Sequence, residues 1–138
     1  MDAKVKHLEF LQAAISRMST CSFAFKGWAL TVAAGISTFG TIEARPALLG
    51  IVLISTCLFW GLDGYYLWLE RGFITLYEQV ARASSETDFS MRIDKANAAR
   101  GWFRTCWRPH LVAFYGTIVT IGVLGMIAIT AVSGDTPT

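Results

Sequence analysis

The chain is poor in groups that carry out chemistry. It has two histidines, His7 and His110, and three widely separated cysteines, Cys21, Cys57 and Cys106. It contains no Cys-x-x-Cys, no glycine-rich phosphate loop and no pair of carboxylates close to a histidine. Acyl-transfer triads, thiol redox exchange and nucleotide cradles all need such spacings, so no enzyme and no cofactor or metal is expected. The thiols read as reduced structural residues. Charge is scarce as well, at 16% of residues, and the net +2 is too small to indicate an anionic polymer as partner.

What the sequence has instead is long apolar runs, with 54% apolar residues and a mean hydropathy of +0.47. Three stretches, 21–42, 46–69 and 110–132, each come near the roughly 20 residues that a helix needs to cross hydrocarbon. Too little chain remains for a soluble core, so residues 1–138 read as a single membrane domain. The fold class expected is all-α: a bundle of three transmembrane helices with amphipathic helical extensions over residues 1–20 and 70–109. The first stretch is too long for a signal-peptide core and reads as an uncleaved anchor.

The sidedness of the charge sets the orientation. Lys4, Lys6, Arg17 and Lys26 lie before or at the start of the first stretch, and Arg71, Arg82, Arg92, Lys95, Arg100, Arg104 and Arg108 lie between the second and third. Arg45 alone falls in the connection at 41–45, and the tail at 133–138 has no cation. Cationic flanks stay in the cytoplasm, so the amino terminus is expected on the inside of the membrane and the carboxyl terminus on the outside.

Outside the spans the apolar residues keep a helical period. Leu8, Leu11, Ile15 and Met18 form one stripe before the first span. After the second span, Leu69, Phe73, Leu76, Tyr77 and Val80 form another, with Glu78 and Arg82 at an i,i+4 spacing, so the second helix is expected to run on to about Arg82. A polar Ser-Ser-Glu-Thr-Asp loop at 84–88 follows, then a helical run over 95–106. Neither amphipathic segment has a strongly cationic face, which favours upright packing over lying flat on a leaflet. The face of Phe73, Leu76, Tyr77 and Val80 is the candidate for a protein partner.

Inside the spans, Lys26 and Asp63 fall at a shared depth near the cytoplasmic end of antiparallel neighbours. A charge in hydrocarbon costs about 2.5 to 3.5 kcal/mol on insertion scales, so an ion pair between them is the expectation, with a polar path lined by Asp63 as the alternative. Gly27, Thr31, Gly35 and Thr38 repeat along one stripe of the first span, and Gly116 and Thr120, with Gly122 and Gly125 slightly rotated, along the third. Small residues permit close helix approach, either inside one protomer or between copies. Trp60, Tyr65, Tyr66, Trp68, Trp102 and Trp107 gather at the cytoplasmic boundary as interfacial anchors. A base-stacking platform would need these rings beside a basic groove in a soluble module, so nucleic acid is not an expected partner.

Two blocks carry a resemblance: Leu8-Glu-Phe-Leu-Gln12 through Arg17-Met18, Ser22-Phe23 and Lys26-Gly27-Trp28, and then Phe59-Trp60-x-Leu62-Asp63-Gly64-Tyr65-Tyr66-Leu67, Glu70-Arg71 and Leu76-Tyr77. Over about the first 82 residues the chain resembles a family of small, largely uncharacterised bacterial multi-pass inner-membrane proteins. Its build is also similar to that of membrane effectors of antiphage systems, though without an appended ligand-sensing domain. The resemblance implies a homo-oligomer in membrane lipid that forms or gates a pore. The alternative is a non-conducting scaffold or regulatory subunit holding a cytoplasmic partner.

Overall fold

The computed structural model describes residues 2–43, 45–83, 89–93 and 98–134. The tail at 135–138, the polar loop at 84–88 and residues 94–97 at the start of the third helical run lie outside the described residues. Among the described residues the protein is all-helical, with α1 at Asp2–Ile42, α2 at Pro46–Arg82, α3 at Ala98–Cys106 and α4 at Pro109–Gly134.

α1 and α2 form a long antiparallel hairpin. At 1.5 Å per residue they extend about 60 and 55 Å, well beyond the roughly 30 Å of a hydrocarbon core. Arg45 takes an extended conformation (φ −102°, ψ 98°), as a residue before proline must, and Pro46 opens α2 where its missing N–H is not needed. Gly40 is buried at the turn, where a Cβ would lie 3.3 Å from Leu48 Cβ.

The buried face of α2 comprises Leu49, Val52, Thr56 and Asp63, at intervals of three, four and seven. α1 answers with His7, Leu11, Ser22, Ala29, Ala33 and Gly40. This near-seven-residue repeat keeps two helices facing each other over many turns. The hairpin therefore stays zipped past the apolar stretches to the far end of α2, with Leu11 fully buried. There Lys4 Nζ donates to the carbonyls of Ala81 (2.9 Å) and Ala83 (2.8 Å). A cation on the orphan carbonyls at the end of α2 satisfies acceptors that the helix itself cannot.

Among the described residues two helices are long and apolar enough to cross a membrane: α2 over Ala47–Arg82 and α4 over Pro109–Val132. Of the three stretches expected to span, 21–42 is the one that falls outside this pair. Lys26 and the run of Thr31, Gly35, Ser37, Thr38 and Gly40 dilute its apolar content. Its outward side is nonetheless strongly apolar, with Phe23, Trp28, Leu30 and Phe39 exposed.

α3 lies across α2 and is held by two indoles. Trp60 Nε1 donates to the Cys106 carbonyl and Trp102 Nε1 to the Gly61 carbonyl, each at 2.9 Å. Gly64 makes the approach possible, because a Cβ there would run into Cys106 Sγ and lie 3.4 Å from its Cα. The chain then turns at Trp107 and Arg108, and α4 starts at Pro109 and packs back along α2.

Candidate functional site

Among the described residues, the one polar group taken completely out of solvent within the apolar part of the bundle and capable of carrying charge is Asp63, which is 0% exposed. The two helices packed against α2 supply its partners. Lys26 Nζ of α1 lies 2.6 Å from Oδ2, and the Tyr115 hydroxyl of α4 donates to the same oxygen at 3.1 Å. Ser22 Oγ donates to Oδ1 and accepts from Lys26 Nζ at 3.0 Å. Both carboxylate oxygens are thus engaged by one cation and two hydroxyls. A buried ion pair is tolerated only when its remaining hydrogen-bonding positions are also filled, and here they are.

Each element brings its residue for a local reason. Ser22 and Lys26 are one turn apart on the inward face of α1. Asp63 continues the buried repeat of α2. Tyr115 sits about a turn and a half into α4, where its ring stacks on Trp60 at 6.1 Å with an interplanar angle of 9°. Ala29, Leu111 and Tyr115 form the apolar lid, with Phe59, Trp60, Leu67 and Phe114 packed around them. Sequence reasoning singled out Lys26 and Asp63 but gave no role to Ser22 or Tyr115. It also read Trp60 as an interfacial anchor, whereas here its N–H is used inside, on Cys106, and its ring covers the network.

Enclosure decides what the network can do. Lys26 is 25% exposed while Asp63 has no exposure, so the arrangement is a closed lock among three helices and not a path lined by a free carboxylate. Among the described residues no group of three potential metal ligands comes together.

The small-residue stripes have a different place. A Cβ on Gly27, Gly35 or Gly116 would meet nothing within 4 Å. Thr31, Thr38 and Thr120 are exposed, with their hydroxyls donating to the carbonyls of Gly27, Ala34 and Gly116 one turn earlier. Backbone satisfaction of this kind lets a threonine face hydrocarbon. Packing inside the protomer uses other small residues: Ala29, clustered with Leu111 and Tyr115 of α4, the buried Ala33, Gly40 against Leu48 and Leu49 of α2, and Gly122, whose Cβ would lie 3.2 Å from Leu53, between α2 and α4. Of the two alternatives for the stripes, close packing within one protomer is therefore excluded for Gly27, Gly35 and Gly116.

The candidate partner face is partly covered by the chain itself. Phe73 borders a cleft with Met91 and Ile93, and Leu76 borders another with Ile93. Ile93 also rests against Gly72, 2.6 Å from where a Cβ would be. Tyr77 and Val80 are half-buried. The stretch at 89–90 is tied to α1, with the His7 ring against Phe89 (centroids 5.4 Å apart) and His7 Nε2 3.2 Å from the Ser90 carbonyl oxygen.

Cys106 borders the site from outside the apolar spans. Burial first, and then the charge of Asp63, push its thiol pKa above the ordinary value. A raised pKa leaves less thiolate at neutral pH. In a Cys21→Ser, Cys57→Ala background, alkylation of Cys106 by iodoacetamide should therefore be slow at pH 7.5, and its rate should keep rising beyond the pH at which a model thiol levels off. A profile matching the model thiol would contradict the burial.

No protein-family model, no curated protein and no solved structure matches this chain.

Proposed function

We propose that the protein is a bacterial inner-membrane homo-oligomer whose copies associate through the open glycine and threonine faces of α1 and α4, and that any conduit it forms or gates lies between copies. The observation that carries this reading is the outward, unfilled row of Gly27 and Gly35 on α1, with Gly116 open on α4. Lipid tails are as apolar as leucine, so helices gain little from burying apolar surface and associate where small residues let backbones approach. A protomer that left such faces open would forgo that contact.

Residues 21–42 complete a three-span bundle in this reading. Asp63 neutralises Lys26, the only formal charge in that stretch, and the exposed aromatic and aliphatic residues of α1 suit contact with lipid better than with water. Because Asp63 is sealed, the interior of one protomer offers no passage. The cation-rich end, with α3 and the projecting ends of α1 and α2, faces the cytoplasm by the positive-inside rule.

The test is the subunit count of the full chain in nanodiscs by native mass spectrometry, with potential-sensitive dye uptake recorded in expressing cells. A discrete ring-sized oligomer together with loss of the membrane potential is the expected result. A monomer or dimer with an intact potential would sink the pore and leave the scaffold, whose signature is co-purification of a dissimilar protein that is lost on Leu76→Glu.

A further inference from the structure

Where α2 leaves its apolar stretch and α4 begins, Trp68, Arg71, Arg104, Trp107 and Arg108 border a cleft of about 570 Å³ floored by α3 at Gly101. Among the described residues three guanidinium groups line it and no carboxylate does. Among the described residues none of the three forms an ion pair; those found are Lys26 with Asp63, Arg45 with Glu43 and Arg82 with Glu78. Arg71 and Arg108 act on each other as like charges. Burial and then the charge of Arg108 lower the Arg71 pKa from its ordinary value, offset in part by Glu70. A fourth guanidinium, Arg92, borders the adjoining cleft, which shares Trp68 and Arg71 as a wall.

Bringing cations together is unfavourable, and with Glu70 offsetting only part of that cost the fold holds them there all the same. Trp68 lies against α3, where a Cβ on Gly101 would come within 2.9 Å of its Cδ1. Arg104 is fixed on α3, and Arg108 immediately precedes Pro109, the first residue of α4. The cleft thus sits where the apolar stretch of α2 gives way to its amphipathic part beside the start of α4, flanked by tryptophans, which is the level at which headgroups lie. Basic pockets between helices at the cytoplasmic side suit anionic headgroups, and guanidinium is the side chain best shaped for phosphate oxygens.

We infer that this cleft is a binding site for a phosphate-bearing anion, supplied by the headgroup of an anionic phospholipid. Arg71 and Arg108 would grip the phosphate from α2 and α4, Arg104 would close over it from α3, and Trp68 and Trp107 would lie along the glycerol and upper acyl chain. The occupied site would fasten α3 to α2 at Arg71 and to the start of α4. It depends on the membrane reading only for the source of the phosphate and is separate from the oligomer contacts.

The full chain in neutral detergent is titrated with phosphatidylglycerol, with phosphatidylcholine of the same acyl chains, and with inorganic phosphate, reading bound lipid by native mass spectrometry and the thermal midpoint. Phosphatidylglycerol should bind at about tenfold lower concentration than phosphatidylcholine and raise the midpoint. Arg71→Gln/Arg108→Gln should lose that preference, whereas Arg17→Gln/Arg45→Gln, with the same change in net charge, should keep it. Arg104→Gln, at an exposed position, repeats the test if the double variant folds poorly, and should weaken the preference several-fold. A midpoint rise with inorganic phosphate that matches the lipid's and is lost in the same variants also supports the site and makes the free anion its source. Equal phosphatidylglycerol binding by both double variants, or no preference in the wild type, overturns the proposal.

Discussion

Lys26→Met should destabilise the bundle more than any other single substitution at the buried network, by about 3 to 5 kcal/mol, the range for removing one partner of a buried pair. Asp63 would stay behind with no exposure and only the Ser22 and Tyr115 hydroxyls as donors. Asp63→Asn should cost less, about 1 to 3 kcal/mol, because Lys26 is already a quarter exposed and can swing its ammonium towards the headgroups, as long cationic side chains do. Tyr115→Phe should fall at or below the low end of that range, since Oδ2 keeps Lys26. The double variant Lys26→Met/Asp63→Asn should recover part of the loss of Lys26→Met alone, with a coupling of about 0.5 to 3 kcal/mol. Thermal unfolding in one detergent gives all four values. Strict additivity of the two single changes would mean that the pair contributes nothing as a pair, and a smaller loss for Lys26→Met than for Asp63→Asn would reverse the assignment of which charge is trapped.

The part of this architecture legible in the sequence is the part set by hydropathy period and by proline. Pro46 and Pro109 open α2 and α4, and the apolar stripe from Leu69 to Val80 carries α2 on to Arg82. Helix period also placed Leu11 on a buried stripe. Other features depended on tertiary geometry. Glycine and threonine at helical spacing signal close approach but not the partner, and the two glycine patterns of α4 divide: Gly122 meets Leu53 while Gly116 meets nothing. Depth along antiparallel helices was enough to bring Lys26 and Asp63 together in thought, and Ser22, one turn before Lys26, carried the same signal. Tyr115 could have been found by the same depth argument applied to α4, where a hydroxyl inside an apolar span needs a partner. The weakness of residues 21–42 as a span has the same origin as the lock: Lys26 lowers the apolar character of α1 and its neutralisation depends on a residue 37 positions away.

Gly35→Leu separates the proposed subunit contact from the fold. A Cβ on Gly35 would meet nothing within 4 Å inside the protomer, and exchanging glycine for leucine in a helix gains up to about 1 kcal/mol of intrinsic propensity. The thermal midpoint of the isolated protomer should therefore hold or rise. Association between copies should weaken by about tenfold or more, because a leucine on a close-approach face pushes the backbones apart and forfeits packing that nothing else in lipid replaces. Gly122→Leu is the opposite control: its Cβ would press on Leu53 at 3.2 Å, so it should lower the midpoint through overpacking, by about 1 to 3 kcal/mol. Native mass spectrometry of nanodisc samples, the midpoint and dye uptake in expressing cells then form a pattern that a general loss of fold cannot imitate. If Gly35→Leu keeps the midpoint, disperses the oligomer and restores the membrane potential, subunit contact through α1 produces the effect on the membrane. If it leaves oligomer and potential as in the wild type, the open stripe of α1 faces lipid alone, and assembly has to be sought on the Gly116 face of α4.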